Sequence, residues 1–201
     1  MKKSTIIILS SVIGFIFLFV LLPIGYGISS YNELVKLEET VNSQWSNVES
    51  QYQRRADLIP NLVATVKGYA THESSTLEGV MEARAKATQV TIDPKNITPE
   101  KLQQYQAAQG QVGAALGRLM VVSENYPNLK ANENFMELQA QLEGTENRIA
   151  VERGRFNELA KSFNTSIRSF PTNIVARITG FQKKPYFEAE KSASKAPQVK
   201  F

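Results

Sequence analysis

No charged residue lies between Lys3 and Glu33, and that gap constrains the chain more than any other feature. The stretch STIIILSSVIGFIFLFVLLPIGYGI exceeds the roughly 20 apolar residues that carry a helix across a hydrocarbon layer of about 30 Å. Residues 5–28 are therefore predicted to be a transmembrane helix, preceded by a flank of residues 1–4. A cleaved signal peptide is the competing reading. Its apolar region normally covers about 7–15 residues, and Gly25-Tyr26-Gly27 makes only a weak cleavage site. Orientation follows from the flanking cations. Lys2 and Lys3 precede the span, whereas Lys36 beyond it is mixed with Glu33, Glu38 and Glu39. The positive-inside rule then puts the N-terminus in the cytoplasm and the remainder outside it.

Beyond the anchor, spacing argues for helices packed along one another. Tyr31, Leu34, Glu38, Val41, Trp45, Val48, Tyr52, Arg55, Ile59, Leu62, Val66 and Tyr69 fall in steps of three and four, the seam of a helix lying on another helix. Gly68 and the THESS stretch at 71–75 predict a turn, and TLEGVMEARAKA a shorter helix ending before the Asp93-Pro94 loop. Thr98, Pro99 and Glu100 are a helix start: a hydroxyl cap, proline at the first position and an acid in the first turn. The helix that follows, over about 99–125, contains Gly110, Gly113 and Gly117. Their expected role is close packing, since each lowers intrinsic helix stability by nearly 1 kcal/mol against alanine.

A connector, YPNLKANEN, offers Asn132 as the cap of a fourth helix. Its seam runs through Phe135, Leu138, Leu142, Thr145, Ile149, Glu152, Phe156, Leu159, Phe163, Ser166 and Phe170, and Pro171 stops it. A short amphipathic piece, TNIVARITGF, and QKKPYF follow, then a polar tail over 188–201 expected to be disordered. The predicted fold class is all-α: a transmembrane helix followed by an antiparallel up-and-down four-helix bundle over residues 30–187.

Three long words of the chain resemble one family. YNELVKLEETVNSQWSNVESQYQRRADLIPNLVATVKGYATHE, ENYPNLKANENFMELQAQLEGTENRIAVERGRFNELAKSFNTSIRSFPTNI and GFQKKPYFEA are similar to the LemA family of bacterial membrane proteins, over about Tyr31 to Ala189. The resemblance implies one N-terminal transmembrane helix, a compact four-helix bundle and a place in the bacterial inner membrane. It also implies kinship with a protein involved in forming magnetosome membranes. It supplies no reaction and no catalytic residues. The residues it singles out are read as structural: Arg54, Arg55, Asp57, Pro60, Asn61, Tyr126, Pro127, Asn132, Phe135, Glu146, Arg148, Phe170 and Pro171. The glycine-rich third helix departs from the family pattern.

Chemistry is sparse. The chain has no cysteine and a single histidine, which excludes thiolate zinc sites, cysteine nucleophiles and any cluster of imidazoles. A net charge of +4 is too small and too evenly spread for a nucleic-acid footprint. No cofactor is expected. His72 beside Glu73 lacks the spacing of a helical metal pair and reads as an exposed helix end.

Arg55 sits on a core-facing position and needs a carboxylate, because a buried guanidinium left unpaired costs several kcal/mol. If Tyr31 and Phe170 lie at the same end, facing residues have numbers summing to about 201. Trp45 then meets Phe156, Tyr52 meets Ile149, and Arg55 meets Glu146. Arg54 is expected to face water and reach Asp57. Pro60, inside a helical pattern, costs roughly 3 kcal/mol and frees the Ala56 carbonyl for an arginine, Asn61 or water. The seam carboxylates Glu38 and Glu152 lack the Glu-x-x-His partners of a bundle metal site. The phenylalanine stripe 135, 156, 163 and 170 reads as core. Arg177, Lys183 and Lys184, with Lys191, Lys195 and Lys200, outnumber Glu188 and Glu190 and suggest contact with a lipid surface.

The first functional expectation is a non-enzymatic, anchored bundle that scaffolds or regulates other membrane or envelope proteins, a homo-oligomer being compatible with it. The alternative is a sensory ectodomain that couples Glu38 and Arg55 to the anchor. A carboxylate-based hydrolase comes third.

Overall fold

The computed structural model describes residues 3–188, with side chains from Ile8 onward. The architecture is all-α. Helix α1 covers Lys3–Ile16, a π-helical stretch Phe17–Leu21, and α2 Leu22–Lys67. Then come α3 (Ser74–Gln89), a 3-10 turn at Pro94–Asn96, α4 (Pro99–Ser123), the single turn α5 (Pro127–Lys130), α6 (Glu133–Ser166) and α7 (Thr172–Thr179). No strand occurs among the described residues. The expected tail over 188–201 lies outside them except for Glu188, as do Lys191, Lys195, Lys200 and Glu190.

The helix near the N-terminus is long and apolar enough to cross a membrane, and among the described residues none buries its apolar window. Its π-helical stretch ends just before Pro23. Proline lacks an N–H and its ring crowds the carbonyl four residues back; a π-turn is one way a helix absorbs that conflict. Here the Leu22 N–H donates to the carbonyl of Phe17, five residues earlier. The expected break after α2 is present, at residues 68–73. The expected start of α4 is present as well: the Thr98 hydroxyl accepts from the Lys101 N–H at 3.3 Å, with Pro99 in the first turn.

The described chain divides into two compact units, the first drawing on residues up to Val41 and on Leu159–Lys183, the second on Asn42–Glu158 and residues from Lys184. In the second unit Ile59, Leu62, Val66, Leu77, Val80, Val112, Leu119, Leu129, Phe135 and Leu142 share one buried cluster. Three pairs link α2 and the connector after it to α6 and its cap. Trp45 and Phe156 lie 5.8 Å apart between ring centroids, Arg55 meets Glu146 at 2.7 Å, and Asn132 donates to the Tyr69 hydroxyl at 3.0 Å. Partner numbers fall as the α2 numbers rise, in the expected register.

Two packing expectations fail. Phe170 is not core: it is 81% exposed. Helix α6 ends at Ser166, so the seam spacing loses its meaning before reaching 170, and in the first unit Tyr31 instead meets Phe181, at 5.8 Å. The glycines of α4 do not serve close packing either. Open space surrounds the position a Cβ would take at Gly110, Gly113 and Gly117. Each Gly→Ala change there is therefore expected to stabilise by about 0.5–1 kcal/mol. A thermal melt of the triple variant should show a clear rise in Tm; a fall would mean that some partner occupies that face.

Candidate functional site

The α2 proline is the natural starting point. Pro60 cannot donate to the Ala56 carbonyl, and that oxygen accepts from Arg84 Nε of α3 at 2.7 Å. The freed group is thus capped from a neighbouring helix, not by Asn61, which is exposed and whose own carbonyl accepts from the Thr65 hydroxyl. Arg84 carried no periodic signal that would have marked it. An arginine within one helix of a proline-freed carbonyl was the only available clue.

One helical turn before Pro60, Arg55 is 3% exposed. Its Nη1 donates to Glu146 Oε2 at 2.7 Å, and Nη2 donates to both the carbonyl (3.0 Å) and Oε1 (2.8 Å) of Gln109 in α4. The guanidinium also lies over the Tyr52 ring at 5.1 Å. Three helices are thereby tied by one cation. The expected partner Glu146 is present; Gln109 was not foreseen, because an amide on a helix flank has no charge or periodicity to flag it. Arg54 is exposed, and Asp57 accepts from Gln53 Nε2 at 2.8 Å instead of pairing with it.

Arg55 and Arg84 both border a cleft of about 100 Å³ in the second unit. Glu49, Tyr52 and Gln53 of α2, Thr88 of α3, Thr91, and Tyr105 and Gln109 of α4 complete its polar lining. Arg55 Nε is buried without a hydrogen-bond partner. Neither Glu146 nor Glu152 lines the cleft, so these two carboxylates do not converge on it. Glu152 accepts from Gln44 Nε2 at 2.7 Å and from Arg155 at 2.8 Å. Among the described residues, no three His, Asp or Glu side chains gather where a metal ion would need them.

Burial pushes the phenols of Tyr105 and Tyr52 above their ordinary range. A phenol whose pKa is higher folded than unfolded contributes stability that is intact below the unfolded value, about 10, and lost as pH climbs through the folded one. Stability should accordingly decline above about pH 10. Urea midpoints measured across that range should flatten in Tyr105→Phe.

The remaining sequence-marked positions are structural or exposed. Asn132 Oδ1 accepts from the Phe135 N–H at 3.0 Å, the expected cap of α6, and Phe135 is buried. Tyr126 donates to Glu73 at 3.2 Å, and Pro127 opens α5. Arg148 and His72 are exposed, Pro171 precedes α7, and Glu38 is half-buried. Of the three cations suggested for a lipid surface, Arg177 and Lys183 are exposed. Lys184 is not: it is 5% exposed, with Nζ 3.4 Å from Asn42 Oδ1. The segment after α7 is drawn inward by Phe187, which stacks on Trp45 at 5.8 Å and meets Phe156 edge-on at 5.4 Å. Asn157 clamps that residue's backbone, donating to its carbonyl at 2.9 Å and accepting from its N–H at 2.8 Å.

A long apolar helix, an all-helical remainder and ions that join helix to helix define a class of proteins built from an apolar N-terminal helix and a helical core. Within that class the chain belongs to the LemA family, which it matches over residues 44–201. It is 31% identical over 186 residues to magnetosome protein MamQ 2 of Paramagnetospirillum magneticum, covering 84% of this chain and 68% of that one. MamQ of Magnetospirillum gryphiswaldense is 30% identical over the same shares. Protein LemA of Metamycoplasma hominis is 26% identical, covering 87% of this chain and 78% of its own.

Proposed function

We propose that this protein is a single-pass, membrane-anchored and non-enzymatic member of its family, which scaffolds or regulates other envelope proteins. In this reading residues 30–187 form an antiparallel up-and-down four-helix bundle held outside the cytoplasm of a bacterial cell, with the N-terminus inside. The observation that carries it is the use made of the interior ions. Arg55 and Arg84 donate to groups of other helices, and Glu152 accepts from Gln44 of α2 as well as from Arg155 of its own helix. That is the behaviour of joints. The relatives named for the magnetosome are named for a cellular body and not for a reaction, which supports the same view. In-cell crosslinking of the tagged full chain, followed by identification of co-purifying proteins, tests it. Partners should be recovered with the intact chain and lost when the anchor is replaced by a soluble leader; an identical partner set without the anchor would count against membrane scaffolding.

A sensory reading draws on a different observation, the 100 Å³ cleft bordered by Arg55, a cation whose Nε is buried without a hydrogen-bond partner. A small carboxylate would fit that chemistry. Thermal melts with acetate, glycine and glutamate would show a saturable stabilisation, absent in Arg55→Met, if the cleft is a ligand site.

A further inference from the structure

Helix α7 is the one described helix with a strongly two-sided character and no cover for its apolar side. Ala176 is buried, whereas Ile174 is 52% exposed and Ile178 80%. Four residues apart, the two isoleucines share a face, and exposed Phe170 stands just before the helix. Such residues in water normally mark an interaction surface.

Contacts within the first unit put this helix beside the end of the apolar span. The Tyr26 hydroxyl, near the end of the apolar span, lies 3.0 Å from the hydroxyl of Thr172, the first residue of α7. At the far end, Phe181 packs against Tyr31. Five helical residues separate Tyr26 from Tyr31, an axial rise of about 7.5 Å. Both ends of α7 are thus held within a band about as deep as the headgroup layer, which adds roughly 5–7 Å to each face of the hydrocarbon core. Tyrosine is itself enriched at that level. Gly180, in the left-handed conformation at φ 84°, ends the helix there and turns the chain back toward Tyr31.

Charge agrees with position. Residues 159–183 contain Lys161, Arg168, Arg177 and Lys183 and no acid. Arg177, one residue before Ile178, is exposed beside the apolar strip, where its stem can lie in lipid and its head reach phosphate.

We propose that α7 is an interfacial helix: Phe170, Ile174 and Ile178 enter the bilayer at the end of the anchor, and Arg177 and Lys183 bind anionic headgroups. The occupant of the apolar face is lipid. This rests on the anchor reading above and adds a second, shallow attachment that the anchor alone does not require.

Because the chain has no cysteine, single thiols at Ile174→Cys and Ile178→Cys can carry an environment-sensitive fluorophore in the full-length protein. The labelled protein is reconstituted into vesicles of phosphatidylcholine with phosphatidylglycerol, or phosphatidylcholine alone, containing lipids spin-labelled near the headgroup or deep in the chain. Quenching should be strong, greater for the shallow spin label, and greater in the anionic vesicles. Arg177→Glu and Lys183→Glu should each lower the ratio of inserted to lifted α7 by about fivefold or more on anionic vesicles. Water-like emission and no quenching in protein that withstands a carbonate wash would overturn the proposal while leaving the anchor intact. Equal quenching on both vesicle types would overturn the anionic assignment. Loss of the protein from the vesicles in that wash would overturn the anchor reading and this proposal with it.

Discussion

Glu146→Ala is expected to destabilise the protein by on the order of 3 kcal/mol, and to do so more severely than Arg55→Met. The two ends of this ion pair sit in different solvent environments: the Arg55 side chain is 4% exposed and that of Glu146 57%. Removing the acid strands a cation in the interior, with the Gln109 carbonyl and amide oxygens and the face of the Tyr52 ring left to stabilise it. The loss falls at the lower end of the usual range because those two acceptors remain. Removing the cation instead leaves a carboxylate that water already reaches. Methionine can fill the vacated volume, and because the remaining charge is in water the main penalty of breaking a buried pair, an uncompensated buried charge, does not arise. The single tryptophan, Trp45, is buried in the same unit and reports unfolding directly. Urea titrations of both variants in detergent, followed by its emission, should give the larger midpoint shift for Glu146→Ala. The reverse order would mean that the pair matters through the packing of the arginine stem and not through charge.

Phe187→Ala should be as damaging, by about 3–5 kcal/mol. Phe187 is 5% exposed and touches both Trp45 and Phe156, and the Arg153 guanidinium lies over its ring at 5.0 Å. Alanine would leave a void between two large rings and remove several favourable ring contacts at once. The Asn157 clamp on the same residue would then hold a strand of backbone with nothing anchoring it. Three readouts should move together: a lower Tm, a red shift in Trp45 emission, and new protease sensitivity near residue 184. Phe187→Leu should recover much of the loss, since it restores most of the volume.

The sequence was most informative where periodicity and capping chemistry act over several turns. The seam through Val41, Trp45, Val48, Tyr52 and Ile59 is buried throughout, and Asn132 caps the helix it was expected to cap. Arg55 found Glu146 because a buried cation must find a carboxylate and the seam limited the choices. Reading failed where no period exists. Phe187 lies in an irregular segment, so an aromatic beside Tyr186, two lysines and a proline carried no sign of burial. Lys184 goes inward with it, against its composition. Phe170 misled in the opposite way, continuing a pattern after the helix that gave the pattern meaning had ended at Ser166. The α4 glycines invited a packing explanation that their open surroundings reject, and no account of their retention follows from the contacts present.

The aromatic lid over Trp45 has a consequence for biogenesis. Chains fold in the order in which they are made, N-terminal parts first, and residue 187 follows every other buried apolar residue among those described. The apolar segment is available for insertion into the bilayer while the tryptophan pocket is still open. Completion of the interior is therefore a late event, and a nascent chain stalled before residue 187 should present an exposed indole to chaperones.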